Sequence, residues 1–179
     1  MARVDRARFV PSELRAHAYD DEPLPIGFEQ TISQPTMVAT LCAALELHGD
    51  ETVLDVGTGS GYQAAVLSEL AREVHTIERI VELAERARSA LADRPNVYVH
   101  VGDGTLGLPA AAPFDAIAVA AAAEAPPPAL LDQLRPGGRL VIPIGPPRQQ
   151  TLQIFGNGRV ERSVACRFVP LVFAQHPPG

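Results

Sequence analysis

In Val53-Leu54-Asp55-Val56-Gly57-Thr58-Gly59-Ser60-Gly61-Tyr62 a short apolar run gives way to a helical pattern. Thr52–Val56 reads as a buried strand, and Gly61–Arg72 carries Ala64, Ala65, Leu67, Leu70 and Ala71 at helical spacing. Glycines at such a junction let the backbone turn sharply and let a ligand come close. In an open α/β sheet, ligands bind there, beyond the carboxyl ends of the strands. A dinucleotide loop has the form G-x-G-x-x-G, with a helix N-terminus facing a pyrophosphate. Here the glycines run G-x-G-x-G, and Tyr62 stands where the third glycine of that pattern would fall. Asp55 lies two residues before Gly57. A carboxylate repels a pyrophosphate and attracts an ammonium or sulfonium group. The stretch holding Asp55, Gly57, Thr58, Gly59, Ser60 and Gly61 therefore suits a cationic, phosphate-free nucleoside better than a nicotinamide dinucleotide.

The same alternation continues downstream. Val74–Ile77 reads as a strand, Val81–Ala92 as a helix with Leu83, Ala84, Ala87 and Leu91 on one face, and Val97–Val101 and Asp115–Ala120 as further strands. Pro127–Leu134 reads as a short helix ended by Pro136-Gly137-Gly138, and Leu140–Ile144 as a fifth strand. Thr151–Phe155 and Arg167–Val172 are two more strand candidates, with Gly156-Asn157-Gly158 as the turn signal between them. Alternating strands and helices predict parallel strands with right-handed crossovers. Continuously apolar strands predict a sheet covered on both faces. The last two strands, with no helix between them, pair antiparallel at one edge. Upstream lie a helix, Pro35–Leu47, and an irregular proline-rich segment. The fold class is α/β, a mostly parallel, doubly wound, Rossmann-like sheet with an antiparallel edge. A chain of 179 residues forms one domain around one core. It divides into an N-terminal substrate-side segment (1–34), a nucleoside-binding core (35–175) and a frayed tail (176–179).

Two further acids follow strands. Glu78 closes the second strand, where a carboxylate can accept hydrogen bonds from two ribose hydroxyls. Asp103 follows the third, within Gly102-Asp103-Gly104, where it can accept from an adenine amino group while the glycines leave room for the ring. Taken singly, Glu78 reads as a solvated strand end or a helix start, and Asp103 as a turn-former. In order and at successive strand ends they line one edge of the sheet.

Composition excludes several classes. The net charge is −6, with 15 Lys and Arg in no run longer than two, which argues against a nucleic-acid partner. The longest apolar run, Ala116–Ala123, has eight residues and is far short of a membrane span, and no secretory signal is apparent at the start, so a cytoplasmic protein is expected. Cys42 and Cys166 sit in apolar stretches and read as buried, reduced thiols. The five histidines show no metal-ligand spacing, so no metal is expected.

The chain resembles the protein-L-isoaspartate O-methyltransferases. The likeness rests on Arg8-Phe9-Val10-Pro11, Pro25-Ile26-Gly27, Gln30-Thr31-Ile32-Ser33-Gln34-Pro35, the glycine loop through Gln63, and Thr76-Ile77-Glu78-Arg79. It continues through Gly102-Asp103-Gly104, the stretch from Leu134 to Pro143, and Arg167-Phe168-Val169-Pro170-Leu171. The glycine loop is shared by many methyltransferases, whereas Thr31-Ile32-Ser33-Gln34-Pro35 is more particular to this family. The resemblance implies S-adenosyl-L-methionine as cofactor, S-adenosyl-L-homocysteine as its product, and isoaspartyl proteins or peptides as partners in a monomeric repair enzyme. It also implies a substrate groove formed by Thr31, Ile32 and Ser33 with Val169, Pro170 and Leu171, and a substrate-bonding role for Ser33 beside the methyl donor. On the residues alone, Ser33 precedes a helix opened by Pro35 and reads as its N-cap, which is compatible with that role. Thr31 and Gln30 read equally as loop scaffolding.

The chain departs from the family in three places. The family begins with a further helix covering part of the cofactor edge, whereas this sequence enters almost directly at Phe9-Val10-Pro11. The turn after the fourth strand, Ala120 to Glu124, carries no hydroxyl. The Gly156–Arg162 segment is abbreviated. Two alternatives remain: a peptide natural-product aspartyl methyltransferase, and a cofactor-binding relative without turnover.

Overall fold

A computed structural model describes residues 3–156 and 158–172, apart from the side chain of Ser163. Its centre is a seven-stranded sheet in the order β5-β4-β3-β6-β7-β8-β9. The strands are β3 (Thr52–Val56), β4 (Glu73–Glu78), β5 (Val97–Val101), β6 (Phe114–Val119), β7 (Leu134–Ile144), β8 (Gln150–Gly156) and β9 (Arg159–Cys166). The first five run parallel, and β8 runs antiparallel to its neighbours β7 and β9. Helices α1 (Pro35–Ala44), α2 (Tyr62–Leu67), α3 (Val81–Ala90) and α4 (Pro128–Asp132) surround the sheet. Two short 3-10 turns, Arg6–Phe9 and Ser12–His17, and a hairpin of β1 (Leu24–Gly27) and β2 (Gln30–Ile32) precede α1.

Side-chain alternation divides the core between the two sheet faces. Val53, Ala116, Ala118 and Val141 pack with α1, α2, α3 and the N-terminal segment. Leu54, Val56, Ile117, Val119, Leu140 and Ile142 pack with Leu130 of α4. β3 is buried at all five positions, as its apolar run predicts. The chain leaves β3 toward β4 on one side, while β6 pairs with it on the other. That divergence opens a crevice at the carboxyl ends of β3 and β6.

Three expectations are corrected. The last strand is Arg159–Cys166 rather than Arg167–Val172, and follows Gly158 directly, paired with β8. Residues 167–172 instead leave the sheet and cross the crevice. Pro136-Gly137-Gly138 lies inside β7, where the pairing with β6 shifts register and Gly137 takes φ +86. The helices are also shorter than their patterns: α2 stops at Leu67 and α1 at Ala44. The expected frayed tail lies outside the described residues.

Candidate functional site

The loop from Gly57 to Gly61 turns over the carboxyl end of β3. Gly57, Gly59 and Gly61 take φ of +94, +52 and +88, conformations that disfavour any side chain. Its amides point back into the protein. Gly57 and Thr58 donate to the Ile77 carbonyl (3.0 and 3.3 Å), and Gly61 to the Thr58 carbonyl (2.8 Å). Gly59 donates to Glu78 Oε2 (2.9 Å) and Tyr62 to Ser60 Oγ (3.3 Å). Five of the six amides from Gly57 to Tyr62 thus have protein acceptors. A pyrophosphate loop holds its ligand with such amides, so this one offers almost no phosphate grip.

Beneath the loop lies a polar chain. Asp55 is fully buried; its Oδ1 accepts from Gln63 Nε2 (2.6 Å) and its Oδ2 from Thr76 Oγ1 (2.8 Å). Because Thr76 donates to Asp55, the 2.6 Å contact between Thr58 Oγ1 and Thr76 Oγ1 runs from Thr58 to Thr76. Burial pushes the Asp55 carboxyl up to about 6, the Gln63 and Thr76 bonds hold it down, and the charge of Glu78 adds to the rise. Glu78 is nearly buried and holds both sides of its own bend, accepting from Gly59 and from the Ile80 amide (3.0 Å). A carboxylate offers about four lone-pair sites, so these bonds leave acceptor capacity facing the cleft. Asp103 Oδ1 accepts from the Thr105 amide (2.8 Å) and hydroxyl (2.6 Å), fixing the turn that carries Gly104. A Cβ on Gly104 would sit 2.5 Å from Val56 Cγ1, so the backbone approaches there as only glycine permits.

A cleft opens over this loop. Gly57, Thr58, Gly59 and Ser60 form its floor, with Glu78 and Gly104 beside them. Thr31, Ile32 and Ser33 form one wall, and Val169, Pro170 and Leu171 another. Asp55, Gly61, Gly102 and Asp103 do not line it. The sequence reading set Asp55 beside a sulfonium, and the structure sets it under the loop. A second groove continues from the cleft toward the β7–β8 turn, and Thr31, Ser33, Ala120 and Val169 line both.

Distant segments hold these walls. The Ala122 amide donates to the Val169 carbonyl (2.8 Å), and the Leu171 amide to the Ala122 carbonyl (2.7 Å). The backbone of the turn without a hydroxyl therefore clamps the crossing segment. Buried Gln150 adds a second clamp: its Oε1 accepts from the Phe168 amide (2.6 Å) and its Nε2 donates to the Phe168 carbonyl (3.2 Å). Ser33 does not cap α1: Gln34 is the N-cap, its own side chain makes no cap bond, and Asp21 Oδ1 accepts from the Thr36 amide in the first turn (2.9 Å).

The sequence reading passed over Arg6, whose side chain is fully buried. Its guanidinium donates to the carbonyls of Ala18, Glu22 (3.4 Å) and Ser33 (3.0 Å) and lies 5.8 Å from the Tyr62 ring centroid. One cation thus joins the N-terminal segment, the backbone of Ser33 and the residue closing the glycine loop. A short charged turn read in isolation looks solvated. The signal for its burial lies in the partners, which are 12 to 27 residues away.

The family model for protein-L-isoaspartate(D-aspartate) O-methyltransferase matches residues 1–176. The chain belongs to that family. Protein-L-isoaspartate O-methyltransferases of Anaeromyxobacter dehalogenans and Marinobacter nauticus are 53% and 56% identical to it, over 96% of this chain and 86% and 82% of theirs. A solved protein-L-isoaspartate O-methyltransferase superposes with a TM-score of 0.84 at 27% identity, over 96% of this chain, which spans 59% of that one. A Plasmodium falciparum protein described as a protein-L-isoaspartate O-methyltransferase, in complex with S-adenosyl-L-homocysteine, superposes with a TM-score of 0.78 at 27% identity, over 96% of this chain and 87% of its own. The Rossmann-like methyltransferase fold with its antiparallel edge agrees with the sequence reading. No described helix is long and apolar enough to cross a membrane.

Proposed function

We propose that this member of the isoaspartyl methyltransferase family transfers the methyl group of S-adenosyl-L-methionine to the free carboxylate of L-isoaspartyl residues in damaged proteins or peptides. The observation that carries the reading is the junction of the two clefts at Thr31, Ser33, Ala120 and Val169. A methyl donor seated over the glycine loop and a peptide lying in the groove would meet there. The loop fits a cofactor without phosphate, because its amides are already used. When bound, the cofactor supplies an electrophilic methyl group on a sulfonium.

The chain's own residues then have modest tasks. Glu78 would accept from the ribose hydroxyls, and the Gly102-Asp103-Gly104 turn, which lines the cleft at Gly104, would take the adenine end. Gly57, Thr58, Gly59 and Ser60 form the floor, Gly61 lets the loop turn into α2, and the buried anion of Asp55 favours positive charge above them. Ser33 donates its hydroxyl to the substrate carboxylate, which is already ionised at neutral pH and needs no general base. Thr31, Ile32, Val169, Pro170 and Leu171 hold the peptide and keep water from the reacting pair. Alignment of two reactants can be worth about 7–11 kcal/mol, which makes positioning the main catalytic contribution.

The test is incubation with methyl-labelled cofactor and matched peptides containing isoaspartate or aspartate at one position. Base-labile label on the isoaspartyl peptide alone is the expected result. Equal labelling of both would point to an aspartyl methyltransferase. Cofactor binding without label on either would mark a relative without turnover.

A further inference from the structure

The protein is acidic overall, with 21 Asp and Glu against 15 Lys and Arg. The groove leading away from the cleft is not. Its lining contains two arginines, Arg148 and Arg167, and no acidic residue. Arg148 sits in the turn between β7 and β8, Arg167 immediately follows β9, and Gln150 pairs with Cys166, so the two cations stand at the same end of the β8–β9 ladder. Both side chains are exposed, and among the described residues neither makes an ion pair. Asp21 reaches the rim through Gln34 (3.5 Å), but its other oxygen accepts from the Thr36 amide (2.9 Å). Arg148 also takes φ +73, a conformation unfavourable for a residue with a side chain, so the turn presents it at an energetic cost.

We infer that this groove selects peptides carrying acidic residues near the isoaspartyl site, with Arg148 and Arg167 as the specificity-determining pair. The inference rests on the function proposed above. An extended peptide with its isoaspartyl carboxylate at Ser33 has flanking residues that run along the groove under both guanidiniums. Arginine pairs with carboxylates through a planar fork of donors. Exposed pairs of this kind steer and discriminate more than they bind. The preference is therefore moderate and sensitive to salt.

Three isoaspartyl peptides of equal length, flanked by glutamates, glutamines or lysines, test it in the full chain. At low salt, kcat/KM is expected to fall in that order, with the glutamate peptide about five- to tenfold above the glutamine one, a range set by exposed charge pairs. The ratio should shrink toward one at about 0.5 M salt, as screening requires. In the Arg148→Gln, Arg167→Gln double variant the ratio should approach one at low salt as well. Fluorescence anisotropy of the labelled peptides gives the same ratio without turnover. Equal rates on all three peptides in the unmodified protein would overturn the inference while leaving isoaspartyl methylation in place. So would a double variant that slows all three equally, because the arginines would then serve the reacting carboxylate itself. If no peptide is methylated, the proposed function fails, and equal anisotropy across the peptides then removes the charge preference too.

Discussion

The floor of the cleft and the walls of the groove are built in opposite ways. The floor is almost self-contained: the glycine loop bonds to itself and to the adjacent strand end, and Asp55, Gln63, Thr58 and Thr76 close a polar chain under it. The walls are assembled from segments far apart in sequence, Thr31–Ser33 on one side and 167–171 on the other, and hang on a few distant anchors such as Arg6, Gln150 and Ala122. A locally closed network keeps its geometry when one outer contact is lost. A wall hung on one cation does not. Substitutions in the two regions should therefore separate cofactor effects from peptide effects.

The largest effect is expected at Arg6. Arg6→Met preserves apolar bulk and removes three hydrogen bonds to carbonyls, leaving those acceptors short of a donor. The Ala18 carbonyl is buried and costs about 1–3 kcal/mol when stranded, while the part-buried Ser33 and Glu22 carbonyls cost less, so a total loss of about 3 kcal/mol is expected. Urea unfolding measures it. In the protein that remains folded, KM for an isoaspartyl peptide should rise more than Kd for the cofactor, because Ser33 moves while the floor stays. Equal loss of both would mean that Tyr62 carries the Arg6 effect and that floor and walls are not independent.

Asp55 tests the floor. Its folded pKa of about 6 lies above the ordinary 3.8, so between those values the folded protein holds a proton that the unfolded chain has released. This contribution is fully present below about 3.8 and is lost as pH rises through about 6. A shift of about two units corresponds to a loss on the order of 3 kcal/mol. Other acids, including Asp21 and Asp93, are held below their ordinary range and add the opposite slope. The difference between the unmodified chain and Asp55→Asn isolates the Asp55 share. Asparagine can be accommodated if the Thr76 and Thr58 hydroxyls reverse, so the variant should fold and lose this slope. It should also bind S-adenosyl-L-methionine more weakly while its affinity for S-adenosyl-L-homocysteine, which lacks the sulfonium charge, changes little. An equal change for both ligands would show that the buried anion acts through shape alone.

The same division explains what the sequence made legible. Glycines at positive φ, a mostly apolar β3 and an acid closing β4 are local features, and each declares itself within a few residues. The edge did not. β9 reads Arg-Val-Glu-Arg-Ser-Val-Ala-Cys, and its described side chains are mostly exposed. Its place is set by the turn and the ladder to β8, with no apolar period to reveal it. Residues 168–172 are apolar and border the clefts, and a short apolar run cannot be told from a strand by periodicity. Pro136-Gly137-Gly138 carries the composition of a helix stop, yet here it marks a register shift in β7. Arg6 was invisible for the most general reason: nothing within several residues of a buried cation reports its distant carbonyls.

Ser33→Ala should give the smallest effect, and it is the most selective probe of the walls. No cap on α1 is lost, because Gln34 holds that position, and the Ser33 carbonyl that receives Arg6 is backbone and remains. Stability should therefore stay within about 0.5 kcal/mol of the unmodified chain, the usual range for a substitution that removes no structural contact. Cofactor affinity should hold as well, because the floor is bonded without Ser33. What disappears is one hydroxyl donated to an ionised carboxylate, worth about 1.5–2 kcal/mol, or roughly a ten- to thirtyfold drop in kcat/KM for the isoaspartyl peptide. The discriminating comparison is with Ser33→Thr, which keeps a hydroxyl. Partial recovery there, with cofactor Kd unchanged in both variants, places the hydroxyl on the substrate. A fall in stability matching that of Arg6→Met would instead return Ser33 to a structural part in the wall.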